Sequence, residues 1–372
     1  MTPHNRQNIL LSTTRGWNPG DDWIRMGILR LLGNANSRFQ TNPILFNRHP
    51  NIWGKGADNS YKIDHVNYKD EEGGERRRHS IQNIDYFISA GTPEWDSKGL
   101  HPLYRDLLEA NVRCSFIGIG QGTPPSEPLT QLLADHTDVV ICRDDNALGN
   151  VQPVFPGAEV LPCPAFLLPV TQWIRQQAKR LGLVYMSDRT GANRITPKSK
   201  PGLIHLFQRM LKAWPESMVI CHYVDEALEA REHFPGAEIF YSYDPAHYEW
   251  AYAQVDVTVG HRLHGAILGA GTGAPAVLLL DQGKENGRRQ AGAKPFGFYC
   301  LEDSNPASIM QCVENLQIQS ESQRLVRFQG EVVAHYQRLL QPMVEVIDPR
   351  PAPAPPPPPD APPSLGIDPL AI

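Results

Sequence analysis

Val255-Asp256-Val257-Thr258-Val259-Gly260-His261-Arg262-Leu263-His264-Gly265-Ala266-Ile267-Leu268-Gly269-Ala270 begins as an alternating, β-branched run, the pattern of a strand, and turns through Gly260 into an apolar helix of small residues. Gly271 to Pro275 ends that helix, and Ala276-Val277-Leu278-Leu279-Leu280 is a second, fully apolar strand. A strand–helix–strand unit crosses over right-handedly and makes its strands parallel. Such sheets bind ligands at the carboxyl ends of their strands, where helix N-termini present N–H groups without intrahelical partners. There this chain carries His261, Arg262 and His264. Residues two apart do not share a helix face but point the same way in extended chain. A ligand reached by both Arg262 and His264 therefore places them in the turn, before the regular helix. The alternative is a basic residue and a histidine satisfied by backbone carbonyls, since cations gain from a helix N-terminus only when an anion sits there.

The same alternation of strands and helices runs outward in both directions. Toward the amino end, strands are expected at 8–13, 84–90, 113–119 and 138–142, with helices near 23–32, 102–110 and 127–136. Beyond a proline-rich crossover near residue 170, strands are expected at 181–186, 217–222 and 239–241, helices at 202–212, 225–233 and 246–254, and a last helix at 320–340. With 372 residues the chain exceeds what one core serves. The expectation is two doubly wound α/β domains, 1–170 and 171–346, followed by a proline-rich tail, 347–372. That tail, with Pro355 to Pro359, reads as polyproline II or unstructured chain, or as the ligand of a proline-binding partner. Residues 36–80 read as a polar, irregular, exposed insertion, its Arg76-Arg77-Arg78 run a solvated face or a rim for an anionic acceptor.

Three more strand exits carry candidate groups. The loop before the first helix contains Gly16 and Gly20, suited to close backbone approach to a ligand, and Asp21 or Asp22 is positioned to cap the helix. Gly118-Ile119-Gly120-Gln121-Gly122 also permits close approach but lacks the full dinucleotide fingerprint. Arg143, followed by Asp144 and Asp145, occupies the same kind of position as Arg262, and its ordinary alternative is a salt bridge to one of those aspartates. Lys284 lies beyond the exit of 276–280 and offers another positive charge; Arg288 and Arg289 follow in what reads as a polar loop.

Bulk properties narrow the classes. A hydrophobic content of 41% and charged content of 20% are ordinary for a globular protein, and a net charge of −5 argues against a dedicated nucleic-acid binder. The amino-terminal stretch has only Ile9-Leu10-Leu11 as an apolar run, and nothing elsewhere approaches a membrane span, so a soluble, cytoplasmic protein is expected. Six scattered cysteines without a C-x-x-C pair indicate neither a disulfide framework nor a zinc site, and no metal-ligand spacing is visible.

Taken together, the Asn18-Pro19-Gly20-Asp21 loop, the exit with Gly118 and Gly120, the strand–Arg143-Asp144 element, and Arg262-Leu263-His264 followed by Gly-Ala-Ile and a Gly-x-Pro strand resemble the polysaccharide pyruvyl transferase family, over roughly residues 8 to 300. Arg-Leu-His is the most specific piece. Cys163 stands where members often carry aspartate, and Asp22 where glutamate is common. The resemblance implies two Rossmann-like domains facing across a cleft, as in the glycosyltransferase type B fold. It also implies phosphoenolpyruvate as donor substrate, a sugar or glycan as acceptor, and no metal or other cofactor. Phosphate and carboxylate each suit a planar arginine fork, which makes Arg143 and Arg262 the expected anion clamp. His264 is then the general acid or a phosphate ligand. Asn18, Gly20, Gly120, Gln121 and Lys284 would line the site, and Asp21 would orient a sugar hydroxyl or act as base. Two alternatives remain: a nucleotide-sugar glycosyltransferase of the same build, for which Asp281 is the candidate ribose ligand, and a non-catalytic glycan binder.

Overall fold

The computed structural model describes residues 7–13, 19–35, 41–47, 84–93, 95, 101–120, 128–169, 172–188, 195–281, 286–302 and 305–347. Among them are two six-stranded, wholly parallel sheets. The first has the order β2-β1-β3-β4-β5-β6, from β1 (Gln7–Thr13), β2 (Thr41–Asn47), β3 (Tyr86–Ala90), β4 (Arg113–Ile119), β5 (Thr137–Cys142) and β6 (Glu159–Val160). The second has the order β12-β11-β10-β7-β8-β9, from β7 (Leu181–Tyr185), β8 (Met218–Cys221), β9 (Glu238–Phe240), β10 (Val257–Gly260), β11 (Ala276–Leu280) and β12 (Tyr299–Glu302). β3, β7 and β11 are buried along their whole length, as expected of parallel strands covered by helices on both faces. Both units are Rossmann-like.

Helices α1 (Pro19–Ala35), α2 (His101–Glu109), α3 (Pro128–Asp135) and α4 (Asp145–Val151) serve the first sheet. Helices α5 (Lys200–Ala213), α6 (Val224–His233), α7 (His247–Ala253), α8 (Leu263–Gly271), α9 (Asn286–Ala293) and α10 (Pro306–Asn315) serve the second. Strand order reverses between β1 and β3 in one sheet and between β7 and β10 in the other. Ligands of open α/β sheets sit at such switch points. Here α1 leaves β1 and α8 leaves β10, so each sheet sends a helix from its own switch point toward the other domain.

The domains meet along α1, α8 and a 3-10 turn at Pro164–Leu167 in the crossover. The Trp23 indole of α1 donates to the Pro245 carbonyl of the second domain (3.0 Å) and meets His222 edge-on, with ring centroids 5.1 Å apart. The last helix, α11 (Ile318–Ile347), is longer than the 320–340 expected, because Met343 and Ile347 continue its buried stripe. It crosses back to the first domain, where the Tyr336 hydroxyl donates to the Pro162 carbonyl (2.8 Å).

Two sequence expectations are corrected. The supposed irregular insertion at 36–80 contains β2, which extends the first sheet in register with β1; residues 48–80 lie outside the described residues. Its apolar core is only Pro43-Ile44-Leu45-Phe46, and Pro43 suits an edge, where one face of the ladder is unpaired. The supposed polar loop around Arg288 and Arg289 is α9. Its glycines and polar residues disfavour a helix intrinsically. Tertiary contact decides, and Leu263 of α8 fills the space beside Gly292. The proline-rich tail lies outside the described residues. Among the described residues no helix is long and apolar enough to cross a membrane.

Candidate active site between the two switch points

Gly20, in the first turn of α1, is buried against the His264 imidazole so closely that a Cβ there would overlap the ring. Glycine is required by this approach of one domain to the other. Asp21 is half-buried beside it, near Tyr223 and Cys163, while Asp22 accepts from Arg25 (3.2 Å). Asn18 lies outside the described residues.

The β4 and β5 exits bring in Arg143. Gly120 follows β4, and a Cβ on it would occupy the position of the Arg143 guanidinium. Arg143 Nη1 lies 3.3 Å from His264 Nε2, joining the domains directly. Its Nε has no hydrogen-bond partner and is 3.8 Å from Asp144 Oδ2. Asp144 does both jobs: Oδ2 makes this long ion pair, and Oδ1 caps α4 by accepting from the Ala147 amide (2.9 Å). The arginine side chain stays 21% exposed, so part of it remains accessible. Gln121 and Lys284 lie outside the described residues.

The second domain supplies Arg262 and His264. Arg262 is the extended N-cap of α8 (φ −87°, ψ 110°), and His264 is the second residue of the helix. Only the arginine thus lies in the turn, because α8 begins at Leu263, two residues earlier than the paired-reach argument required. The larger correction concerns the clamp. Arg262 is buried, and its Nη2 donates to Glu226 Oε1 while its guanidinium lies 4.8 Å from the centre of the Tyr223 ring. A guanidinium this buried needs a carboxylate partner. One edge of the expected clamp is therefore committed, although its Nε has no hydrogen-bond partner.

Glu226 was not singled out in the sequence, yet it organises this half of the site. Its carboxylate accepts from the backbone amides of Ser187 (3.3 Å), His222 (3.0 Å) and Tyr223 (3.3 Å) as well as from Arg262. One fully buried side chain thereby joins the exits of β7, β8 and β10. A glutamate at the third position of a helix that follows a strand is the available signal, because such a residue reaches back to amides at the helix start.

Electrostatics follow from this crowding. His264 keeps part of its surface open, and burial of the rest, with Arg143 and Arg262 adding to it, pushes its pKa down to about 3. Burial, Arg262 and His264 hold His222 well below the usual histidine range; its Nε2 lies 2.9 Å from the Tyr252 hydroxyl. Burial raises the Glu226 carboxyl, and Arg262 with the His222 and Ser187 amides offsets part of the rise. Cys163 is driven up to about 11 by burial, with Arg143 acting against it, so a neutral thiol stands beside this arginine in addition to Asp144. Near pH 7 the site holds neutral imidazoles next to arginines.

Asp281, the alternative ribose ligand, is turned elsewhere. Its carboxylate accepts from the Thr196 amide (2.9 Å) and the Ser199 hydroxyl (2.7 Å), which fixes the turn before α5.

Solved structures similar to this chain share its architecture at low identity. A protein described as a UDP-N-acetylglucosamine 2-epimerase from Listeria monocytogenes superposes with a TM-score of 0.57 at 10% identity, covering 91% of this chain and 97% of its own. The UDP-GlcNAc 2-epimerase from Neisseria meningitidis gives 0.54 at 10%, covering 90% and 99%. The glycotransferase of kitacinnamycin gives 0.52 at 13%, covering 91% and 98%. These likenesses establish the two-domain, glycosyltransferase type B-like fold. A comparison with curated proteins finds no match. The model of one family, polysaccharide pyruvyl transferase, matches residues 18–281, which include Gly20, Arg143, Glu226, Arg262 and His264. The chain belongs to the polysaccharide pyruvyl transferase family and is a transferase.

Proposed function

We propose that the protein moves the pyruvyl group of phosphoenolpyruvate onto hydroxyls of a sugar or polysaccharide precursor, acting in the cytoplasm where that donor is made. The observation that carries this reading is the 3.3 Å approach of Arg143 to His264 across the cleft, with Arg143 Nε lacking a hydrogen-bond partner. A partly accessible arginine, beside an imidazole and two helix N-termini, suits a small ligand carrying several negative charges. The donor has two such groups, a phosphate and a carboxylate.

In the reaction, His264 protonates the methylene carbon of the donor and the alkene π pair forms the new C–H bond. The neighbouring carbon becomes cationic, and a sugar hydroxyl oxygen adds to it and returns its proton to the ring. Phosphate then leaves with the C–O electron pair. A second hydroxyl closes the ketal, and its proton ends on phosphate. Arg143 holds the phosphate as charge builds on it. Arg262, held by Glu226, stiffens the turn that carries His264 and adds positive charge beside the donor. Asp21 lies on the first-domain side, where it would orient the acceptor hydroxyl.

The nucleotide-sugar alternative loses its ribose ligand, since Asp281 is held by Thr196 and Ser199. Thermal unfolding with phosphoenolpyruvate, and separately with a panel of nucleotide sugars, tests the choice. Phosphoenolpyruvate should raise the midpoint by mass action and Arg143→Ala should lose that gain. A response to a nucleotide sugar, with none to phosphoenolpyruvate, would replace the proposed donor.

A further inference from the structure

The contact between Arg143 and His264 has a direction. A guanidinium nitrogen carries only N–H donors, so a 3.3 Å approach of Arg143 Nη1 to His264 Nε2 requires a lone pair on that ring nitrogen. The imidazole is therefore neutral, with its proton on Nδ1, on the side where Gly20 packs. A neutral ring of this tautomer cannot deliver a proton through Nε2, although Nε2 is the nitrogen facing Arg143 and the cleft. The groups around the ring come from three turns and from α1, where Asp21 follows the contacting Gly20. Arg143 reaches it from the β5–α4 turn, Arg262 from its own turn with Glu226 bound to it, and His222 from the β8 exit. From α1 the ring meets Gly20, which has no side chain to offer.

We propose that Arg143 gates the proton on His264: its guanidinium donates to Nε2 and keeps the ring neutral, and the phosphate of an arriving donor competes for that N–H and frees Nε2 to take a proton from solvent. This role rests on the donor reading above and goes beyond holding phosphate. The acid is charged only when there is something to protonate. The proton gained from solvent is passed to the donor's methylene carbon, the first sugar hydroxyl to add returns one to the ring, and that proton goes back to solvent when phosphate leaves and Arg143 re-engages Nε2, so the cycle balances. Burial is the larger cause of the fall of the His264 pKa to about 3 and the two arginines add to it; a bound anion would neutralise the arginines' share and set its own negative charge beside the ring.

The test is calorimetric titration of phosphoenolpyruvate into the whole protein at pH 7.5 in two buffers of different ionisation enthalpy. The expected result is uptake of about one proton per donor bound, with affinity falling about tenfold per pH unit above neutrality. His264→Gln should still bind the donor but lose the uptake. Binding with no buffer-dependent heat overturns the gate, as does equal uptake in His264→Gln, which would put the proton on the phosphate. Absence of any binding heat overturns the donor reading and the gate with it. A second readout does not depend on the variant folding. Nitrogen-15 spectra of the histidine side chains should report an unprotonated Nε2 on His264 in the protein alone and two protonated ring nitrogens with phosphoenolpyruvate present. An Nε2 already protonated in the protein alone would overturn the proposal.

Discussion

The exits of β5 and β10 are written in the same way, an arginine at the carboxyl end of a buried strand with a helix soon after it, and they end differently held, one loosely and the other tightly paired. Arg143 has only a long, 3.8 Å ion pair with its sequence neighbour Asp144, whose other oxygen caps α4. Arg262 has no acid nearby in sequence, yet Glu226, remote in the chain, reaches it and three backbone amides. Position at a strand exit therefore gives an arginine its place in the cleft. Whether it becomes a ligand or a scaffold depends on which remote acid arrives. Arg143 stays partly accessible, and Arg262 stiffens the turn that carries His264.

The sharpest way to break this contrast is to remove the two acids. Glu226→Ala should cost about 3–5 kcal/mol of folding stability in urea titration, because it leaves a buried guanidinium without its counter-charge. Asp144→Ala should cost only about 1 kcal/mol, the loss of a helix cap. Equal effects would show that the two arginines are not differently held. Next in size, Arg143→Ala should lower kcat/KM about 10²–10³-fold with phosphoenolpyruvate while leaving the urea midpoint nearly unchanged. Arg143→Lys should recover little of this, since an ammonium offers a point charge in place of a fork. A large stability loss in Arg143→Ala would mean that this arginine, too, is structural.

How much of this was readable beforehand follows from the same contrast. The strand–helix alternation, the parallel sheets and the exits bearing Arg143 and His264 were legible because each is encoded locally, by period and by turn residues. Arg262 was located correctly, but its partner was not, since nothing near residue 262 points to residue 226. α9 was read as a loop because Asn286 to Ala293 has poor helix propensity, and only the packing of Leu263 against Gly292 selects the helix. β2 was lost inside a polar stretch because an edge strand with four apolar residues leaves too short a pattern. Local order was visible, and pairings between distant segments were not.

Gly20 and Gly33 lie on the same helix and sharpen the comparison from the other side of the cleft. A Cβ at Gly20 overlaps the His264 imidazole, whereas one at Gly33 meets nothing within 4 Å. Gly20→Ala should destabilise the protein by about 1–3 kcal/mol through overpacking and displace the ring, lowering turnover with it. Gly33→Ala should gain about 0.5–1 kcal/mol, because alanine is the better helix residue and has room. Parallel urea curves and steady-state rates for the two variants check this. If both are neutral in activity, the approach of α1 to α8 does not constrain the imidazole.

The smallest effect is read in acid. His264 sits near 3 in the fold and close to 6.5 in an unfolded chain, so between those values the unfolded chain binds a proton that the fold refuses. Stability should thus be flat with respect to this group above pH 6.5 and fall as pH drops below it. The slope approaches 1.4 kcal/mol per pH unit, about the full value for one proton. His222, held well below the usual range, adds to the same acid limb. His264→Gln should make that limb shallower by one histidine's share. Arg143→Ala should reduce it only in part, because burial is the larger cause of the low pKa and Arg143 the smaller. A His264→Gln curve that superposes on the parent from pH 7 to pH 4 would mean that the imidazole takes up its proton in the fold at the same pH as in the unfolded chain. Below that pH the β5 exit would then present an arginine to a cation, and the difference between the two arginines would need another explanation.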